Sequence, residues 1–183
     1  ILICVENEAS YNPFYAALSH RLCTSVHHFK LTFQFAYWDR FKTICVGNES
    51  PSNGSAAIGI RRLSNLARLL SFLVVRFSLS LAMLKVVEFG PTMTKKGVVF
   101  FRVLFHAIMN DKLSDKARVN EIFSRIANSR EHSSVRDGIH FFLQEHLLSK
   151  ARQALRSQKG ERQQLAYEKL KMACSVIDKV TVF

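Results

Sequence analysis

Histidine and cysteine gather in one stretch of the chain, as His20, Cys23, His27 and His28, with Cys4 and Cys45 on either side. Zinc would use such a set, because neutral imidazole and thiolate are its ordinary ligands. Zinc sites, however, come as tight pairs set on turns, and these spacings are irregular. Cys23 also falls inside or at the end of a helix that opens at Asn12-Pro13. Structural or surface roles are expected for all of them, with no metal and no cofactor. A Cys–His hydrolase would need a nucleophile, a base and an orienting group that converge. No nucleophile motif surrounds any of the four cysteines. His140, Glu145 and His146 share one helix, and His146 falls on its apolar stripe, where a satisfied core histidine is the expectation. GxxxxGK[ST], GxGxxG and HExxH are all absent, which excludes phosphate-loop and zinc-protease chemistry. The chain reads as non-catalytic, without a small-molecule substrate.

Charge is the stronger signal. The formal net charge is +12, and it is unevenly spread. Residues 1–57 balance four basic against four acidic side chains, whereas residues 58–112 hold nine against two and residues 113–160 nine against five. One sign of charge over two thirds of a domain raises the local concentration of polyanions or of an acidic protein face. Basic residues stand beside aromatics in Lys95-Lys96 and Phe100-Phe101-Arg102. In a helical chain such phenylalanines belong to the core, so only the cations are taken as contacts to phosphate or to a partner. The candidates are Arg61, Arg62, Lys95, Lys96, Arg102, Arg130, Arg136, Lys150, Arg152 and Arg156.

The elements that must position them are helices. Of 183 residues, 48% are hydrophobic, with 15 Phe against seven Gly and three Pro, which argues against a turn-rich β-sandwich and against disorder. Asn12-Pro13 is a helix start, followed by Phe14, Leu18 and Leu22 at spacings of four. Between His28 and Cys45, Phe33, Tyr37, Phe41 and Ile44 fit one helical face and Leu31, Phe35 and Trp38 an adjoining one, so a helix buried on two sides is predicted. Residues 46–57 read as a mobile loop. From Ile60, Leu63, Leu66, Ala67, Leu70, Val74 and Phe77 mark a helix. Ser80 caps a short one, and Thr94 or Lys95 opens another with Val99, Val103, Leu104, Ala107 and Ile108 inward. The apolar run Leu69–Leu84 is shorter than the roughly 20 residues a bilayer needs and is split at Ser78 and Ser80, so it reads as two buried helices and no membrane span. Asp115 begins a helix carrying Val119, Ile122, Phe123 and Ile126. Val135, Ile139, Phe142, Leu143, His146 and Leu147 mark the clearest amphipathic stretch, and a last helix runs from Glu161 with Leu165, Leu170 and Ala173 as contacts. Cys4 and Cys174 sit among apolar residues and behave as small hydrophobes. The sum is an all-α solenoid or irregular bundle of eight or nine helices.

The strings YNPFYAALSHRLC (11–23), FKLTFQFAYWDRF (29–41), LSNLARLLSFLV (63–74), LSLAMLKVVEF (79–89) and VRDGIHFFLQEHLLSKA (135–151) come in that order. Together they resemble the MA3 domain of the nucleolar MIF4G/MA3 proteins, a group also called suppressor of glycerol defect. The resemblance implies a HEAT-like stack of antiparallel helix pairs, forming one MA3 domain over residues 1–180 that lacks the family's first helix pair. Ile1, Ile3 and Val5 should then be without their covering partner.

For function, the resemblance implies a non-catalytic assembly factor of the small ribosomal subunit, acting on 18S pre-rRNA processing in the nucleolus. Its implied partners are a DEAD-box helicase of the initiation-factor-4A type, pre-ribosomal proteins and pre-rRNA. The alternatives are a helical module that binds RNA directly, and the MA3 domain of a splicing or translation MIF4G-type adaptor.

Overall fold

The computed structural model describes residues 1–46, 59–157 and 160–178, without the side chains of Val46, Arg130, Arg156 and Ser157. The loop expected at 46–57 lies outside the described residues, apart from the backbone of Val46. Among the described residues the chain is helical throughout, with no strand. The elements are α1 (Leu2–Asn7), α2 (Pro13–Ser25), α3 (His28–Val46), α4 (Ile60–Val75), α5 (Lys95–Asn110), α6 (Lys116–Ala127), α7 (Ser133–Phe142), α8 (Ser149–Ser157) and α9 (Glu161–Asp178). A 3₁₀ turn, Leu81–Val86, separates α4 from α5, and another, Arg130–His132, precedes α7.

Local sequence sets most of the starts. Asn12 Oδ1 accepts from the Phe14 amide at 3.0 Å with Pro13 in the first turn of α2. Ser80, Thr94 and Asp115 accept in the same way from Ala82, Gly97 and Arg118. Thr94 also donates to the carbonyl of Ile44, tying the start of α5 to α3.

Helix α4 is the centre of the stack. It packs most extensively on α5 and also meets α1, α2 and α6. Leu63, Leu66, Leu69, Leu70 and Leu73 are fully buried along it. The C-terminal layer forms as α6 and α7 pack on α9, with the Lys116–Glu168 ion pair at 2.9 Å bridging α6 and α9. Between these layers the phenylalanines meet edge to face. Phe89 and Phe101 lie 4.9 Å apart, Phe41 and Phe100 5.7 Å, and Phe101 and Phe142 6.0 Å. Each such pair adds about 0.5–1.5 kcal/mol beyond its buried area, which is where the chain's aromatic excess is spent.

The apolar run Leu69–Leu84 is broken as its serines suggest. Helix α4 stops at Val75, and Phe77 takes a left-handed conformation at φ 57°. That conformation lets the amides of Ser78 and Leu79 both reach the Leu73 carbonyl. A bulky residue is unfavourable there. Its ring is held between the guanidinium groups of Arg118 and Arg125 from α6, at 4.6 and 3.8 Å. No helix among the described residues is long and apolar enough to cross a membrane.

Several expected faces are rotated. On α2 the buried residues are Ala16, Ser19 and Cys23, while Phe14 is 62% exposed and Leu18 also faces out. Small side chains let α2 approach α4, and the Ser19 hydroxyl is satisfied by the Tyr15 carbonyl at 2.6 Å. On α3 only the face of Phe33, Tyr37, Phe41 and Ile44 is buried. Leu31 and Phe35 are exposed, and Trp38 is half-buried with its Nε1–H donated to the Met83 carbonyl. On α9 Leu165 is 45% exposed, and Lys169 is buried beside Leu170 and Ala173. Cys4 is exposed, unlike Cys174. Ile1 and Ile3 are uncovered as expected, but Val5 is buried, because α1 turns Leu2 and Val5 toward α4.

Candidate basic groove

The face of α5 expected to be core carries the candidate site. Leu104 and Ile108 are buried, but Val99, Val103 and Ala107 are only partly covered. They form the floor of a groove of about 510 Å³ whose walls are α4, α8, α9 and the turn before α8. Arg68 enters it from α4, Arg102 and His106 from α5, His146 and Lys150 from the far wall, and Tyr167 from α9.

The far wall has unusual backbone. Residues Leu143–Leu148 continue α7 as a π-helical turn, in which the Ser149 amide donates to the Gln144 carbonyl five residues back. π turns are rare and recur at functional sites. His146 lies within this turn and Lys150 in the first turn of α8.

Electrostatically the groove is one cationic unit. Among the described residues, no Asp or Glu lines it, and no carboxylate pairs with Arg68, Arg102 or Lys150. Burial, with the charges of Arg68 and Arg102, holds the His106 imidazole below the ordinary histidine range. Burial lowers His146 as well, with Lys150 and Arg102 pushing the same way and Glu145 opposing them. Arg102 therefore acts on both imidazoles, one from each side. A ring of cations over an apolar floor suits an anion that carries a flat apolar group.

Of the ten candidate cations, the structure brings Arg102 and Lys150 together in this groove. Arg61 and Arg62 stand in the first turn of α4, and Lys95 and Lys96 in the first turn of α5. Arg152 is exposed on α8. The Arg136 side chain is only 12% exposed and pairs with Asp137 at 3.0 Å. The side chains of Arg130 and Arg156 lie outside the described residues. Sequence reasoning missed Arg68 and His106, and took His146 for core. One signal was present: Arg102/His106 and His146/Lys150 are both spaced i, i+4, so each pair shares a helix face.

The histidine and cysteine stretch does not assemble. Among the described residues, no three His, Cys, Asp or Glu side chains are grouped to hold a metal. His20 Nδ1 lies 2.6 Å from Ser78 Oγ, but Ser78 is 2% exposed and has no access to a substrate. Burial pushes the Cys45 thiol up to about 12 and the Cys174 thiol up to about 11, which suppresses the thiolate a nucleophile needs.

A protein-family model, the MA3 domain, matches residues 1–45, spanning α1 to nearly the end of α3. Beyond that segment the likeness continues in individual proteins. The chain is 34% identical over 173 residues to Nucleolar MIF4G domain-containing protein 1 of Mus musculus, covering 94% of this chain and 18% of the mouse protein. It is 35% identical over 158 residues to the Homo sapiens protein of the same name, covering 86% and 16%. Suppressor of glycerol defect protein 1 of Schizosaccharomyces pombe is 36% identical over 114 residues, covering 61% of this chain and 14% of that protein. The chain thus spans less than a fifth of the length of these relatives, two of which are named as nucleolar. With MA3 sequence in its first helices, an all-α stack, and an alignment that runs through nearly all of its length, the chain belongs to the nucleolar MIF4G domain and suppressor of glycerol defect family.

Proposed function

We propose that this chain is a non-catalytic adaptor domain acting in the nucleolus, in assembly of the small ribosomal subunit and processing of 18S pre-rRNA. Its partners in this reading are a DEAD-box helicase of the initiation-factor-4A type, pre-ribosomal proteins and pre-rRNA. The observation that carries the reading is the near full-length alignment with proteins named nucleolar MIF4G domain-containing protein 1. A helix stack without an assembled catalytic group among the described residues supports an adaptor over an enzyme.

Charge placement supports an acidic or RNA-rich partner. Arg61 and Arg62, and Lys95 and Lys96, occupy first turns that contain no acidic residue. The helix dipole disfavours cations at that end and favours anions. These four residues therefore sit where an incoming phosphate or carboxylate gains from both the side chains and the helix ends.

The test is a pull-down from nucleolar extract with and without nuclease. It compares the chain with a variant carrying Arg61→Glu, Arg62→Glu, Lys95→Glu and Lys96→Glu. Helicase and processome proteins retained by the chain after nuclease support the scaffold. Loss of every processome protein on nuclease treatment overturns it in favour of direct RNA binding.

A further inference from the structure

The groove between α4, α5, α8 and α9 deepens the adaptor reading and rests on it for the biological setting only. We propose that this groove is a binding site for a short single-stranded stretch of RNA, with phosphates held by Arg68, Arg102 and Lys150 and a base seated on the apolar floor.

The shape fits. About 510 Å³ accommodates one or two nucleotides rather than a duplex or a folded domain. The floor of Val99, Val103 and Ala107 is flat aliphatic surface, and Tyr167 on the α9 wall offers a ring against which a base can stack. The cations come from three elements around that floor, so a strand crossing the groove meets one of them in any register. A phosphodiester chain carries a charge at every residue and matches this spread. An acidic peptide would need carboxylates at matching intervals, and the groove supplies no free sheet edge to fix its backbone. The net charge of +12 draws a polyanion from a distance, where a locally acidic peptide gains much less.

The two imidazoles make the site proton-linked. His106 faces Arg68 from α4 and shares α5 with Arg102. His146 faces Arg102 across the groove, with Glu145 and Lys150 beside it and Tyr167 opposite on α9. By themselves the neighbouring cations oppose protonation of both rings. A phosphate among them removes that opposition, so binding takes up protons and tightens as the pH falls from 7.5 to 6.

Fluorescence anisotropy with a labelled ten-residue oligouridylate tests this on the 183-residue chain, with an oligoglutamate peptide of equal charge beside it. Three phosphate contacts predict a log–log salt slope of about −2. The double variant R102Q/K150Q should weaken RNA binding about tenfold or more. The variant H106Q/H146Q should keep binding at pH 7.5 and lose the gain at pH 6. Circular dichroism checks that each variant keeps its helix content, and K150Q alone, on an exposed side chain, serves if the double variant unfolds. RNA binding indifferent to Arg102 and Lys150 overturns the proposal, and so does oligoglutamate binding as tightly as RNA. A pH response that survives loss of both histidines overturns the proton linkage. Because the RNA is synthetic and the chain purified, these failures leave the pull-down result standing, and a failed pull-down leaves the groove standing.

Discussion

Lys169 of α9 donates from Nζ to the main-chain carbonyl of Met109, the next-to-last residue of α5, at 2.9 Å. The lysine is 6% exposed, so an ammonium group is buried where the apolar pattern called for a hydrophobe. It satisfies a carbonyl that the end of α5 would otherwise leave open, and Asp111 and Asp115 lie near enough to favour its charge. Replacing Lys169 with Ala should cost about 2 kcal/mol through the orphaned carbonyl and the lost stem. Urea denaturation checks the value, and Lys169→Met should restore part of it by filling the space.

Asn65 performs the same service at the other end of the molecule. Its Nδ2 donates to the carbonyls of Val5 and Glu8, both at 3.2 Å, and so fastens the end of the short helix α1 to α4. A six-residue helix has little stability of its own. Asn65→Leu should destabilise the chain by about 1–2 kcal/mol. Hydrogen exchange at residues 2–8 should rise more than exchange along α5.

Gly138 leaves room for Phe89. A Cβ at position 138 would stand 3.1 Å from both Cβ and Cδ2 of Phe89, whose ring is wedged between Phe101 and Phe142. Alanine is the better helix former, yet Gly138→Ala should lower stability by about 1–3 kcal/mol, because the phenylalanine cannot give way without disturbing its neighbours. A thermal melt of G138A beside G138A/F89L checks the mechanism, since the smaller residue should recover part of the loss.

Folding itself should be sensitive to mild acid. His106 and His146 both titrate below the ordinary value of 6.5 in the folded chain. The unfolded chain therefore takes up those protons first. Their contribution to stability is intact above about pH 6.5 and is lost as the pH falls through that value toward the lower folded-state values. The melting temperature should drop between pH 7 and pH 5.5, and drop less in H106Q/H146Q. Bound RNA should reduce the drop, because it favours the protonated rings.

Much of the fold was legible because its signals are local. Asn12, Ser80, Thr94 and Asp115 cap helices by hydrogen bonds within three residues of chain, and such contacts need no knowledge of the rest. Burial was less legible where two helices share the work. Phe14 and Phe35 keep helical spacing with other apolar residues, but the neighbouring elements cover a different side of α2 and α3. The groove was hidden for the same reason in reverse. Val99, Val103 and Ala107 have the periodicity of a core face, and only the position of α9 decides that part of this face stays open. Arg102 and Lys150 were picked out by charge, whereas Arg68 joins them from a helix more than thirty residues earlier, a convergence no spacing rule contains.

The π turn at Leu143–Leu148 makes this helix sensitive to length in a way that loops are not. Removing one residue there would let the turn close to α geometry, and everything beyond would swing by roughly 100° about the axis. Lys150 and Ala151 would leave the groove together, while Val135, Ile139 and Phe142, which lie before the turn, would keep their places in the core. Chain length within one turn, rather than any side chain, thus aims α8. Single-residue deletions between 143 and 148 should silence the groove without dismantling the stack.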